Sequence, residues 1–215
     1  MRVTTDSTQL NQKAWSAFVT NHPQGNIFQS PEMYEVYKRT NNYDPFIITA
    51  FSDEISGILL GVIQKENKLL GNLSSRSIIW GGPLLIPNDG SILLKLFKKY
   101  MAKINRRALY TQIRNINDVS DSQNLFDSIG FRYEDHLNYI LDLSKGEDTI
   151  WHSMNKKRRN TIKKAIRLNI SIVEVGNIQE LEKSYQILKE VYSRARLPLA
   201  DFSLFKSAYD ILGPK

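Results

Sequence analysis

Residues 91–105, SILLKLFKKYMAKIN, decide how this chain is read. Ile92, Leu93, Leu96, Phe97, Tyr100, Met101 and Ile104 recur at helical spacing while Lys95, Lys98, Lys99 and Lys103 take the other face, which predicts an amphipathic helix on a core. Downstream, residues 109–113 read as a strand and residues 122–129 as a short helix, with Gly130 as its C-terminal cap leading into Phe131 and Tyr133. Upstream, residues 46–51 and 55–64 read as a hairpin joined at Ser52-Asp53-Glu54. One or two further strands are expected within residues 69–80, before the breaker Gly81-Gly82-Pro83.

Two helices precede the hairpin. The first spans residues 9–20, with Leu10, Ala14, Trp15, Phe18 and Val19 inward and His22-Pro23-Gln24-Gly25 ending it. The second starts at Ser30 as N-cap, with Pro31 at the first helical position, Glu32 in the first turn, and Met33, Tyr34, Val36 and Tyr37 on the buried side. Asp44-Pro45 then returns the chain to extended structure. Beyond Tyr133, the alternation of Leu137, Tyr139, Leu141 and Leu143 predicts a half-buried strand. A basic helix, a strand at residues 171–175, a helix with Leu181, Tyr185, Leu188, Val191 and Tyr192 inward, a break at Leu197-Pro198-Leu199, and a last helix at residues 203–211 complete the reading.

The charge is local. The formal net charge of +7 lies in residues 151–215, where thirteen Lys and Arg face six Asp and Glu, while residues 1–150 balance. Read as one helix over residues 151–168, the basic segment puts Trp151, Met154, Ile162, Ala165 and Ile166 on an apolar stripe, with Arg158 inside it and Arg159 at its flank. Lys156, Lys163, Lys164 and Arg167 point toward water. A guanidinium facing a core or cleft must meet a carboxylate of the protein, meet an anionic group of a ligand, or snorkel out.

With 215 residues and 41% hydrophobic content, the chain can bury a sizeable core. The N-terminus MRVTTDSTQL lacks an apolar signal segment, and the longest apolar run, residues 55–63, is too short to span a bilayer, so a cytoplasmic protein is expected. The absence of cysteine excludes disulfides, thiolate metal sites and a cysteine nucleophile. His22, His136 and His152 show no metal-ligand spacing, and no metal site is expected.

The order of elements resembles a GNAT-type acyltransferase lobe. Gly25-Asn26-Ile27-Phe28-Gln29-Ser30-Pro31-Glu32, Trp80-Gly81-Gly82-Pro83-Leu84, residues 126–131, Lys157-Arg158-Arg159-Asn160 with Ile162-Lys163-Lys164-Ala165, and Arg196-Leu197-Pro198-Leu199-Ala200-Asp201 resemble the FemABX-like aminoacyl transferases. The resemblance implies an α+β, GNAT-like fold with a mixed, mostly antiparallel sheet flanked by helices, followed by a partial second GNAT-like lobe. The first lobe would span residues 1–148 and the incomplete second, with the basic helix, residues 149–215.

The activity implied is transfer of an amino acid from aminoacyl-tRNA to an amine of a peptidoglycan or related envelope precursor. Alternatives are a GNAT-type acyltransferase acting on a polysaccharide precursor, a non-catalytic tRNA or nucleic-acid binding module, and an inactive family remnant. Under the family reading Arg158, Arg159 and Arg194 bind substrate phosphate or carboxylate, and guanidinium forks suit diphosphates. Trp80 lines the groove or packs in the core. Lys156, Lys163, Lys164 and Arg167 form a patch for tRNA or an anionic membrane surface at the inner membrane face. Asp201 is a candidate base or a partner of Arg194 or Arg196, and no catalytic residue is assigned.

Two departures from the family pattern carry expectations of their own. No resident cofactor is expected. CoA is not expected in the first lobe, because residues 82–90 lack the glycine-rich pyrophosphate loop and contain Pro83 and Pro87, which remove N–H donors. The short second lobe, with one strand and unpaired edges, implies either a truncated or split member or completion by a partner chain, and its exposed edges favour self-association.

Overall fold

The structure, a computed structural model, describes residues 1–65, 74–86, 90–136 and 139–213. Six strands among them form one sheet: β1 (Arg2–Thr4), β2 (Tyr43–Phe51), β3 (Ile55–Lys65), β4 (Ser75–Trp80), β5 (Leu84–Leu85) and β6 (Tyr110–Arg114). The order is β1-β2-β3-β4-β6, with β5 also on β3. All pairs are antiparallel except β4 and β6, whose parallel register runs from Arg76 opposite Tyr110 to Trp80 opposite Arg114. The crossover that parallel neighbours require is supplied by α3 (Gly90–Ile104).

The hairpin sequences are almost continuously apolar because helices cover both faces of the sheet. On one face Phe46, Ile48, Ala50, Leu59, Ile63 and Ile79 pack against Ile92, Leu93, Leu96, Phe97, Tyr100 and Ile104 of α3. Met101, expected inward, is 48% exposed, so the apolar stripe is narrower than the sequence indicated. The Tyr100 hydroxyl lies 2.7 Å from Ser77 Oγ and 2.9 Å from Thr111 Oγ1, tying the helix to β4 and β6. Burial pushes its pKa up to about 12. The short helix α4 (Gln123–Ser128) ends at Gly130, whose φ of +90° allows the chain to return. Phe126 and Phe131 then pack edge-on against Phe97.

On the other face Ile47, Ile58, Leu60 and Val62 meet α1 (Gln12–Asn21) and α2 (Pro31–Lys38). The first helix starts three residues later than its apolar pattern implied, because Asn11 Oδ1 accepts the Ala14 N–H and makes Asn11 the cap. Leu10 and Trp15, the residue before the cap and the fourth helical residue, are both buried, in the positions of a hydrophobic staple. For α2, Ser30 Oγ accepts the Met33 N–H, as the sequence indicated.

Gln29 occupies a gap in the sheet. β4 pairs with β3 only at residues 62–65, and β5 takes β3 at Gly57 and Ile58. Between them the Leu60 N–H donates to Gln29 Oε1 at 2.8 Å, and Gln29 Nε2 donates to the Trp80 carbonyl at 2.7 Å. The side-chain amide of this fully buried residue thus stands where a ladder bond between diverging strands would be.

Contacts divide the chain into two compact units, Met1–Tyr133 with Lys183–Lys215, and Glu134–Glu182. This division differs from a boundary at residue 148, because the C-terminal helix α8 (Phe202–Leu212) packs on the first unit. Leu204, Ala208 and Ile211 join the α1–α2 core, and Asn41 N–H donates to Ser203 Oγ at 2.8 Å.

The second unit holds α5 (Glu147–Ser153) and α6 (Lys156–Arg167), and α7 (Ile178–Ala195) begins in it. The single helix expected over residues 151–168 is therefore two. Asn155 is extended, with ψ of 154°, and its Oδ1 accepts the Arg158 N–H at 2.9 Å, so it caps a new helix. The strands expected around Tyr139 and at residues 171–175 are not paired in any ladder among the described residues. Tyr139 and Ile172 are fully exposed, Leu143 enters a 3-10 turn, and Leu137 lies outside the described residues. An isolated strand leaves its backbone groups without partners, so sequence alternation alone does not make one. On α7 Leu181, Tyr185, Leu188 and Tyr192 are half-buried, while Val191, expected inward, is exposed. No helix among the described residues is long and apolar enough to cross a membrane.

Candidate functional site

The basic helix α6 presents two different kinds of cation. Lys156, Lys157 and Lys164, with Asn160 and Thr161, line one open groove of about 520 Å³. Their spacing of 1, 4, 5 and 8 residues from Lys156 places them on one helix face. Lys163 and Arg167 are exposed but do not line this groove. The first turn of α6 carries Lys156, Lys157, Arg158 and Arg159 and no acidic residue. Cations there face the positive end of the helix dipole, which costs stability instead of adding to it. Helix formation alone gives no reason for this placement; a bound anion would.

The two arginines exchange the places that a single continuous helix predicts for them. Arg158, expected within the apolar stripe, is exposed, and its guanidinium has no hydrogen-bond or ion-pair partner among the described residues. Arg159, expected at the flank, is half-buried. Its Nη1 donates to the carbonyls of His152 (3.1 Å) and Met154, so it satisfies the C-terminal end of α5. The reason is the helix break at Asn155, which rotates α6 out of phase with α5. We expect Arg159→Ala to loosen this corner by about 1 kcal/mol, the scale of a lost helix-terminal cation, while Arg158→Ala leaves it unchanged. Amide exchange across residues 150–156 measures this. Unaltered exchange in Arg159→Ala would free that residue for a ligand role.

Trp80 and Arg194 belong to the other compact unit. Trp80 is half-buried and stacks on Tyr37 (centroids 5.2 Å apart) and Tyr43 (6.4 Å), both at 21°, so packing accounts for most of its surface. Arg194 is exposed near the end of α7. The next arginine, Arg196, takes a left-handed φ of +55°, and the Leu197 N–H donates to the Tyr192 carbonyl at 2.9 Å, ending the helix. Asp201 Oδ1 accepts from the Ser203 N–H at 2.9 Å and from Asn41 Nδ2 at 3.1 Å, so its place is that of the α8 cap.

Arg76 and Arg114 were missed from the sequence. Strand parity was the available signal: Arg76, Ile78 and Trp80 share one face of β4, and register sets Gln112 and Arg114 of β6 on the same face. Arg76 Nε donates to Gln64 Oε1 at 3.1 Å, and Arg114 Nη2 to Gln112 Oε1 at 3.2 Å. Both cations act on the Tyr43 hydroxyl, whose pKa burial raises and whose rise these two guanidiniums oppose. The Tyr37 hydroxyl beside it is buried without a hydrogen-bond partner among the described residues, and burial, with a smaller contribution from Tyr43, drives its pKa far up.

No family model matches the sequence. A lipid II:glycine glycyltransferase of Staphylococcus saprophyticus is 21% identical over 228 residues, covering 97% of this chain and 53% of that protein. Among solved structures, the crystal structure of FemX superposes with a TM-score of 0.64 at 21% identity, over 98% of this chain and 55% of FemX. An aminoglycoside 6'-N-acetyltransferase from Acinetobacter haemolyticus aligns with 66% of this chain and 98% of its own at 16% identity, with a TM-score of 0.47. The chain spans about half the length of the relatives it matches at full coverage. The fold is α+β and GNAT-like, and over nearly its whole length the chain is similar to a lipid II:glycine glycyltransferase in sequence and to FemX in fold.

Proposed function

We propose that this chain works in aminoacyl transfer to a peptidoglycan or related envelope precursor, with α6 holding the phosphate groups of a substrate. The observation that carries the reading is that the match to the lipid II:glycine glycyltransferase extends through α6, whose first turn carries Lys156, Lys157, Arg158 and Arg159 and no acidic residue. Phosphates are the complement of that surface, on either aminoacyl-tRNA or the precursor. Lys156, Lys157 and Lys164 form the contact, with Lys163 and Arg167 adding a diffuse field and Arg158 reaching a phosphate with a free guanidinium. Arg194 is a second such cation on the other unit.

An aminoacyl ester is already activated and the acceptor amine brings the nucleophile, so positioning and proton removal carry the chemistry, with no enzyme nucleophile required. A donor other than CoA in the first lobe is part of this reading, and it is supported by Leu84 and Leu85 pairing with β3 and by the Ile86 N–H donating to the Ser56 carbonyl, which commit these groups to the sheet. The basic face would also hold the protein against an anionic inner membrane surface. The exposed Ile170, Ile172 and Val173 are the surface at which further polypeptide, from a partner or a second copy, would complete the second lobe.

Replacing Lys156, Lys157 and Lys164 together with Gln tests the contact. At about 1 kcal/mol per phosphate contact, affinity for tRNA or a UDP-linked muramyl peptide should fall on the order of 10²-fold near 0.1 M salt. The slope of log K against log salt should shrink by about 2 to 3 for tRNA. Calorimetry with both ligands separates the alternatives. Steep salt dependence with tRNA and no muramyl-peptide binding favours a nucleic-acid module, and no binding of either by the folded chain rejects the proposal.

A further inference from the structure

The outward face of α3 carries a charge pattern that neither the fold nor the reading of α6 accounts for. Lys95, Lys98 and Lys99 are exposed, Lys103 is half-buried, and the helix contains no acidic residue. Lys95, Lys99 and Lys103 follow one another at four-residue spacing, in a row about 12 Å long, with Lys98 beside it. Lys95 therefore meets Lys98 and Lys99 on the next turn, and Lys99 meets Lys103, which sets like charges together and opposes helix formation. Only Lys103, in the last turn, is favoured by the helix dipole. None of the four lysines forms an ion pair among the described residues. Elsewhere in the same unit helical charges are paired: Lys38 lies 3.6 Å from Glu35 on α2, and Lys206 lies 2.6 Å from Asp210 on α8.

Apolar side chains border this row. Leu94 is 39% exposed and Met101 is 48% exposed, and at seven-residue spacing they share one side of the helix with Lys98 next to both. Ammonium groups on flexible stems reach the phosphates of a lipid headgroup layer, and apolar side chains beside them enter the level below. A nucleic-acid backbone offers the same charge but no apolar layer for Leu94 and Met101. This face also lacks the arginine fork or exposed aromatic ring that holds a nucleotide.

We propose that the outward face of α3 docks the first unit on an anionic lipid surface, with Lys95, Lys98 and Lys99 at the headgroup phosphates and Leu94 and Met101 at the acyl boundary. This contact goes beyond the one proposed for α6, which lies in the other compact unit, and the two succeed or fail separately.

Because the chain has no cysteine, Met101→Cys provides a single attachment point for a polarity-sensitive nitrobenzoxadiazole probe. Vesicles of equal parts phosphatidylcholine and phosphatidylglycerol should shift its emission to the blue, whereas pure phosphatidylcholine vesicles and tRNA should not. The shift should persist when Lys156, Lys157 and Lys164 are replaced by Gln, which separates this surface from α6. In sedimentation of the unlabelled chain with the anionic vesicles, replacing Lys95, Lys98 and Lys99 together with Gln should lower partitioning by about 10²-fold near 0.1 M salt. Leu94→Ser should weaken vesicle binding by about fivefold and leave tRNA affinity unchanged. These side chains point outward, so each variant should keep the thermal midpoint of the parent. An unshifted probe, no sedimentation with anionic vesicles, or unchanged partitioning of the triple lysine variant would overturn the proposal. A probe shift produced by tRNA and not by vesicles would also overturn it, and would assign the face to a nucleic acid.

Discussion

Gln29→Ala is expected to lower the stability of the chain by about 2 to 6 kcal/mol, because it strands two buried backbone groups at about 1 to 3 kcal/mol each. The Leu60 N–H loses Oε1 and the Trp80 carbonyl loses Nε2, in a region where Leu60 is 1% exposed and Gln29 is fully buried. Trp15 Nε1 donates to the Gln29 main-chain carbonyl at 2.7 Å, and that bond survives the substitution. Urea unfolding followed by tryptophan emission measures the loss as a lower midpoint at constant slope. Gln29→Glu is the informative companion. It keeps an acceptor for Leu60 but sets a carboxylate against the Trp80 carbonyl, so it should unfold as readily as the alanine variant or more so. A Gln29→Ala variant as stable as the parent would show that β3 and β4 close the gap unaided.

Leu96→Ala should cost about 2 to 5 kcal/mol, the range for emptying a buried leucine site. Leu96 has no exposure and sits where α3 crosses β3. The approach there is close enough that a Cβ on Gly57 would lie 3.0 Å from Ile92, 3.1 Å from Leu85 and 3.2 Å from Leu96. Gly57→Ala alone therefore overpacks the contact, by about 1 to 3 kcal/mol. Combined with Leu96→Ala, part of that methyl occupies the vacated space. The double variant should be more stable than the sum of the single losses by about 0.5 to 2 kcal/mol. Strict additivity would mean that α3 moves away from the sheet when Gly57 is replaced, so that the two sites no longer share a boundary.

The motif at residues 25–32 shows how much the sequence held and in what form. As sequence it gave a turn and a capped helix, and Ser30 and Pro31 do open α2. The same stretch also holds Gln29, which bridges the sheet, and Asn26, whose Nδ2 donates to the Gly81 carbonyl at 3.3 Å. Those roles depend on residues 31 to 55 positions away, beyond the reach of any local pattern.

The candidate site was legible to a similar depth. The concentration of positive charge and the identity of the basic helix came directly from composition. The exchange of roles between Arg158 and Arg159 did not, because one capping asparagine at residue 155 resets the helical phase. Arg76 and Arg114 sit on strands far apart in sequence, and only the parallel pairing of β4 with β6 puts them beside Trp80 and Tyr43.

By itself the sequence determined the elements whose signals are local: the stripe of α3, the apolar hairpin, the caps of α2 and α4, and the placement of all net charge in the last third. These follow from side-chain periodicity and from hydrogen bonds spanning three or four residues. The tertiary structure alone decided which segments become strands, since a strand exists only when a neighbour completes its ladder, and the segments around Tyr139 and Ile172 have none among the described residues. It also decided that α8 joins the first unit, and that a buried asparagine oxygen at residue 115 faces no partner among the described residues. Each of these depends on chain closure over long separations, where the energy lies in contacts that no window of sequence contains.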